Sequence, residues 1–325
     1  MDRSNSAKSN NIIDIIKFVC CLLIIGIHTH PVFRNNTWDF YSLEYIARIA
    51  VPFFFISSGY FFAGMDENKR IFYIKRIALL YLIASVIYIP IYMNDGIKAI
   101  AGNLILAYFH LWYLSTLAIS LLVLMCVYIR LPKYRYFLIL LILPAAFFTL
   151  YSKLTGVEVL EYIGETLENT RFDSYLKAIP FLLIGDYIRN SKISISRGKI
   201  IILLVIALAA SFLEAMILRE VIGADITLNT SLFGWMPAVP LFLIGLNTRS
   251  FMDYDASRKL RKTADVIYII HVWVIEFAVK VTGLEYISLY LFTASISIIL
   301  SALIIFIIDL LKKKAALSDH GRSIR

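Results

Sequence analysis

The sequence predicts an all-α fold: a polytopic membrane helical bundle of about ten transmembrane helices with both termini in the cytoplasm. The first observation is composition, since 60% of the 325 residues are hydrophobic, 17% are charged and the mean hydropathy is +0.76. Soluble globular domains do not have such a composition. The second is that the apolar residues form continuous runs, which excludes the alternating pattern of a membrane β-barrel. The third is the placement of the basic residues.

Charged and turn residues bound the apolar runs, and each run is long enough to predict one helix. The runs are 12–31, 43–64, 72–93, 111–130, 135–151, 175–190, 198–218, 231–247, 263–282 and 286–311. Between the fifth and sixth runs, an acidic loop contains a predicted short surface helix over Tyr162–Asn169. A mildly apolar stretch, Ile97–Phe109, is predicted to lie along the membrane surface.

Most of the 32 lysines and arginines fall at the two termini and in alternate loops, which all lie on one side of this topology. The positive-inside rule makes that side cytoplasmic and favours an even number of spans. The net charge of +9 therefore reflects membrane topology. Nucleic acid is excluded as a partner because no basic patch is interleaved with base-stacking aromatic residues.

The domain prediction has three parts: a cytoplasmic N-terminal segment (1–11), a transmembrane domain (12–311) and a basic cytoplasmic tail (312–325). The first apolar run is not followed by a small-residue cleavage site, so we interpret it as a retained span. The tail is interpreted as a junction to a soluble domain that this chain lacks. Cys20, Cys21 and Cys126 all lie in apolar runs without metal-ligand spacing, and no metal site is predicted.

The first predicted helix carries a polar stripe formed by Asp14, Lys17 and His28. Lys17 and His28 are eleven positions apart, which places them within roughly 20° around the helix axis and roughly 16 Å apart along it. Ionisable groups at membrane depth usually face a bundle interior or a wet cavity, so these three residues are the candidate catalytic site. The alternatives are local: Lys17 reaches the headgroups, Asp14 interacts with the helix dipole and His28 lies at the interface.

The second predicted helix carries four candidate substrate-binding residues: Glu44, Arg48, Ser57 and Ser58. The functional interpretation places Arg48 in the same cavity as His28. The alternative is a packing helix with a surface ion pair between Glu44 and Arg48, which are four residues apart. Under either interpretation, the small residues Ser57–Gly59 predict a close approach between two helix backbones.

Five further polar or aromatic residues are candidate substrate-binding residues: His110, Trp112, Tyr113, Arg171 and His271. The first three are first of all consistent with an interfacial belt of a histidine and aromatic residues. His271 alone is consistent with a buried, hydrogen-bonded histidine. Arg171 and Asp173 are most simply interpreted as a solvated ion pair in a loop.

Four blocks of sequence together resemble the acyltransferase-3 family of polytopic membrane proteins. The blocks are Asp14 with Lys17 and His28, Val51–Tyr60, His110–Tyr113 and Tyr268–His271. The first matches an acid, a basic residue three positions on, and a histidine after ten more residues. Many family members have arginine where this chain has Lys17, and lysine lacks the bidentate fork that suits phosphate groups.

The family resemblance implies transfer of an acyl group from cytoplasmic acyl-CoA to a hydroxyl acceptor outside, with His28 as general base. Within the family, the sequence is most similar to the membrane domains of VanT-type serine racemases of vancomycin resistance. Thr170–Arg171 before Pro180–Phe181, and Gly234–Pro237, carry that likeness. In such proteins a soluble racemase with pyridoxal phosphate follows the last helix.

The likeness therefore implies a bacterial plasma-membrane domain with no bound cofactor of its own. Its function would be to bind or import L-serine, which an attached racemase converts to D-serine for D-Ala-D-Ser resistance. Three functions stay open from the sequence: serine import, O-acyl transfer and a membrane anchor with a vestigial site. The expected partners are the lipid bilayer, the small polar substrate and the attached racemase domain.

Overall fold

The computed structural model describes residues 11–152, 155–191, 194–221, 233–248 and 252–322, and within them the regular structure is helical without strands. The α-helices are α1 Asn11–His28, α2 Asn36–Asp39, α3 Ala50–Ala63, α4 Glu67–Tyr92, α5 Ile97–Leu106, α6 Trp112–Arg130, α7 Phe137–Tyr151, α8 Glu158–Asn169, α9 Phe172–Asn190, α10 Arg197–Met216, α11 Ala238–Asn247, α12 Tyr254–Thr282 and α13 Tyr286–Arg322. A π-helical turn and a 3-10 turn connect α2 to α3. The predicted all-α class is confirmed.

Five helical stretches in the described part of the chain are long and apolar enough to cross a membrane. They are Asn36–Ala63, Glu67–Asp95, Ile97–Arg130, Arg197–Val221 and Tyr286–Lys314. The chain is thus a multi-pass membrane protein. The count of about ten spans and the cytoplasmic position of both termini stay predictions.

Each predicted run contains a helix, but several helix ends differ from the prediction. The predicted surface helix is α8, which begins four residues earlier than expected. Helix α12 begins at Tyr254, well before the predicted 263, because the Asp253 carboxylate caps it by accepting a hydrogen bond from the Ala256 amide at 2.6 Å. Helix α11 has 10 residues, and the start predicted for it at 231 lies outside the described residues.

The chain forms two compact units. The first unit comprises residues 1–43 and 248–325, in which α12 packs against α1 and α13. Lys262 on α12 pairs with Asp309 on α13 at 3.0 Å. Buried hydroxyl residues at every fourth position of α13, Thr293, Ser297 and Ser301, present a small-residue face that suits close helix packing in membranes.

The second unit comprises residues 44–247, and its closest helix pair is α3 with α9. A Cβ atom on Gly59 would lie 2.0 Å from the Leu182 carbonyl oxygen, and one on Gly185 would lie 2.1 Å from the Ile56 carbonyl oxygen. The two backbones therefore touch where both helices carry glycine. This confirms the close backbone approach that the small residues of α3 predict.

Helices α3 and α9 run in the same direction. Near their C-terminal ends, Arg189 donates to the Tyr60 hydroxyl at 3.2 Å. Toward their N-terminal ends, the charge of Arg48 acts on Lys177. A Cβ atom on Gly185 would lie 2.6 Å from the Tyr60 amide nitrogen, and one on Gly64 would lie 3.0 Å from the Arg189 side chain. These two pairs advance by four residues along both sequences, which indicates parallel helices.

A buried carboxylate, Asp186, ties α6, α9 and the segment before α7 together in the second unit. The Arg135 guanidinium lies 2.9 Å from it, and the Tyr128 hydroxyl and the Asn190 amide donate to it at 2.8 and 2.9 Å. Arg70 stacks on the Tyr128 ring at 4.5 Å. The sequence interpretation did not single out this network, whose members come from four separate segments.

Candidate functional site

Helices α1 and α12 meet along a seam that contains most of the first-unit candidate residues. Three residue pairs cross the seam, and the partners in each pair are the same 243 positions apart: Asp14 with Ser257, Cys21 with Ala264 and His28 with His271. Successive pairs are seven residues apart on both helices. Because the pairs advance together along both sequences, α1 and α12 are parallel. Because seven residues make about two helical turns, the same faces meet at each pair, as in a coiled coil.

The N-terminal end of the seam is a cluster of charges. Asp14 is 4% exposed, accepts a hydrogen bond from the Ser257 hydroxyl and lies 3.6 Å from the Arg261 guanidinium. Lys17 is half-buried, and the charges of Asp14, Asp265 and Arg261 act on it. Buried charges require such partners. The structure therefore brings the predicted acid and amine together and adds Arg261 to them.

The C-terminal end of the seam is an imidazole pair. The rings of His28 and His271 lie 5.2 Å apart between centroids and are tilted by 33°. His271 is fully buried, and its Nδ1 donates to the Ile267 carbonyl oxygen at 3.0 Å. A carbonyl oxygen can only accept, so a neutral His271 carries its proton on Nδ1 and a lone pair on Nε2. The two imidazoles can accept and release a proton. The N-terminal end of the seam, in contrast, contains the charged side chains.

Residues 10–308 match the acyltransferase domain of the acyltransferase-3 family. The chain belongs to the acyltransferase-3 family. Its seam thus contains two of the blocks that carry the sequence resemblance.

Curated relatives of this acyltransferase-3 domain are named as racemases. A serine/alanine racemase of Enterococcus gallinarum is 26% identical over 266 residues, which are 74% of this chain and 37% of that protein. An amino-acid racemase of Enterococcus faecalis is 36% identical over 115 residues, 31% of this chain and 16% of that protein. The chain therefore matches well under half of each relative. No solved structure matches the chain.

The second unit of the acyltransferase-3 domain holds the other substrate-binding candidates. His110 is buried with its ring 4.9 Å from that of Tyr88, and the Tyr113 ring lies 4.9 Å from that of Phe55. The remaining second-helix and belt candidates differ in exposure: Ser57 is buried and Arg48, Ser58 and Trp112 are half-buried. The side chain of Glu44 lies outside the described part of the chain. Arg48 and His28 belong to different units, and the cavity predicted to hold both stays a prediction.

The interpretation of Arg171 and Asp173 as a solvated loop pair is wrong. Arg171 precedes α9 in the left-handed backbone conformation, with φ 60. Asp173 is buried in the first turn of α9 and bonds to the Lys177 ammonium at 2.6 Å. Residues four apart lie on one helix face, which is why Asp173 pairs forward along α9 and not with Arg171.

Three polar residues of these sites were not singled out from the sequence: Lys177, Ser257 and Arg261. Lys177 lies inside an apolar run, four residues after Asp173, and this spacing predicts an ion pair on one helix face. Ser257 and Arg261 lie before the predicted start of the ninth span, where the sequence was assigned to a cytoplasmic loop. Only the packing of α12 on α1 reveals that they face Asp14.

Proposed function

We propose that this domain binds L-serine from outside the cell and carries it across the membrane to a racemase. The observation that carries the proposal is the relation to a serine/alanine racemase, which extends over 74% of this chain. Serine is a zwitterion, so its passage needs partners of both signs in an apolar setting. The cluster of Asp14, Lys17 and Arg261 contains charges of both signs at one end of the seam and would bind serine there.

Proteoliposomes that contain the wild-type chain are expected to take up labelled L-serine above the level of empty liposomes. Asp14→Asn is expected to lower that uptake at least ~10-fold, because it removes a charge that is worth about 1.5–3 kcal/mol in a hydrogen-bonded pair. Asp255→Asn is the matched control, since Asp255 is 73% exposed and pairs loosely with Arg258. Wild-type uptake equal to that of empty liposomes would refute serine transport.

A second candidate function is O-acyl transfer, which the His28–His271 pair favours. His28 takes the proton from an acceptor hydroxyl, and the oxygen attacks the thioester carbon of acyl-CoA. The new C–O bond replaces the C–S bond, and the imidazolium returns its proton to the departing thiolate of CoA. Imidazole suits this role because its ordinary pKa lies close to neutral pH.

Transfer of a labelled acyl group from acyl-CoA to a membrane or cell-wall acceptor would test this second candidate. His28→Gln is expected to lower the rate by about 10²–10⁴, the usual contribution of a positioned base. His30→Gln is the control, because the His30 side chain is 44% exposed and pairs with Asp39 at 2.6 Å. If the wild-type chain supports neither acyl transfer nor serine uptake, and His28→Gln leaves the cell phenotype unchanged, the domain is an anchor with a vestigial site.

A further inference from the structure

A buried ion pair lies at the start of α9 in the second unit. The Lys177 ammonium is 2.6 Å from the Asp173 carboxylate, and the two side chains expose 13% and 9% of their surface. Poorly solvated charges are costly, and ionisable residues of membrane proteins often mark substrate pathways. Apolar residues of similar volume would hold α9 in place at least as well as a buried ion pair.

Two further charges reach this pair. Arg48 and Glu168 both act electrostatically on Lys177. Since α3 and α9 are parallel, Arg48 lies toward the same end of the helix pair as Asp173, opposite Arg189 and Tyr60. The topology predicted from the basic residues has this end at the outer face of the membrane.

The charge balance of this cluster defines the class of ligand. The Lys177 ammonium and the Asp173 carboxylate form a pair without net charge. A zwitterion keeps that balance when it binds, whereas a bare carboxylate or a bare amine would add net charge to a poorly solvated site. Within the described residues, Asp173 is the one hydrogen-bond partner of Lys177, so two of the three ammonium N–H groups can reach a ligand.

We propose that Arg48, Asp173 and Lys177 form an outer capture site for a small free amino acid. Lys177 and Arg48 bind the α-carboxylate, and Asp173 binds the α-ammonium. The identity of the amino acid as L-serine rests on the proposed function. The site itself rests on the burial and spacing of these charges.

The test is a binding measurement on the full chain in lipid nanodiscs, with L-serine and two fragments of it. Ethanolamine lacks the carboxylate of serine, and 3-hydroxypropionate lacks the ammonium. The wild-type chain is expected to bind L-serine at least ~10-fold more tightly than either fragment, since each lost charge contact is worth about a factor of ten or more. A fragment that binds as tightly as L-serine would overturn the site.

Two variants assign the contacts. In Asp173→Asn, L-serine is expected to bind no more tightly than 3-hydroxypropionate, because the ammonium has lost its partner. In Lys177→Met, the preference for L-serine over ethanolamine is expected to shrink several-fold, because Arg48 alone is left to bind the carboxylate, and Lys177→Arg should restore most of the preference. Lys280→Met is the matched control, because Lys280 pairs with Glu276 at the same spacing on an exposed face of α12. Its affinity for L-serine is expected to stay within about twofold of wild type.

The outcomes separate this site from the proposed function. If the wild type binds L-serine and both charge variants bind it equally well, the site is wrong while serine binding stands. If another amino acid binds with the expected variant pattern and L-serine does not, the site stands and the serine function is wrong. If no amino acid binds to the wild-type chain, both are wrong.

Discussion

Gly59→Ala is expected to force α3 and α9 apart and to destabilise the second unit by about 3 kcal/mol or more, the upper end for overpacking. The new Cβ atom would lie 2.0 Å from the Leu182 carbonyl oxygen, and that neighbour is backbone, which cannot rotate away. Gly185→Ala is expected to act in the same way through the Ile56 carbonyl. The measurement is thermal unfolding in detergent together with the yield of monodisperse protein.

The control for this prediction is Gly198→Ala. Gly198 lies in the first turn of α10, and a Cβ atom there would have no neighbour within 4 Å. Alanine favours helix over glycine by roughly 0.5–1 kcal/mol, so this variant is expected to match or exceed the wild type in stability. Equal unfolding temperatures for Gly59→Ala and Gly198→Ala would show that α3 and α9 are not in backbone contact.

Asp186→Leu is expected to destabilise the second unit by about 3–5 kcal/mol. Asp186 is 2% exposed at its side chain, and its removal leaves the Arg135 guanidinium, which is 21% exposed, without a counter-charge. A buried charge that loses its partner is among the most destabilising changes. The Tyr128 hydroxyl loses its acceptor as well. Thermal unfolding of the purified variant measures the effect.

Two comparisons sharpen this second prediction. Asp255→Leu removes an exposed carboxylate 3.4 Å from Arg258, and the stability change is expected to stay within about 0.5 kcal/mol. The double variant Asp186→Leu with Arg135→Leu is expected to be more stable than Asp186→Leu alone, because no unpaired charge remains. A double variant less stable than either single variant would contradict the ion-pair explanation.

The helices were predictable from sequence because apolar runs of spanning length have few other stable structures in a membrane. The ends of the helices were less predictable where a capping side chain determines the first residue of the helix. Asp253 starts α12 within a stretch that is polar and charged, so hydropathy alone placed that start too late. Ser257 and Arg261 in this first part of α12 contact Asp14 on α1, and those contacts exist only in the folded chain.

The sequence predicted most residues of the candidate site, but it did not predict which of them contact one another. The eleven-residue spacing of Lys17 and His28 describes one face of α1 alone. The seam instead contains Asp14, Cys21 and His28, which follow one another at intervals of seven residues. This spacing becomes evident only from their partners on α12. The capture site shows the same limit: the proximity of Arg48 and Lys177 depends on a helix contact that one sequence does not reveal.

The shared direction of α3 and α9 constrains how many times the chain passes through the bilayer. Two segments that enter from the same side must be separated by an odd number of passages. Helices α4 and α6 provide two, and α5 and α8, with 10 and 12 residues, are too short to provide another. The sequence predicts a third passage at 135–151, where α7 lies, and this prediction agrees with the shared direction of α3 and α9. The 15 residues of α7 extend about 22 Å, so a passage there would require a locally thin membrane.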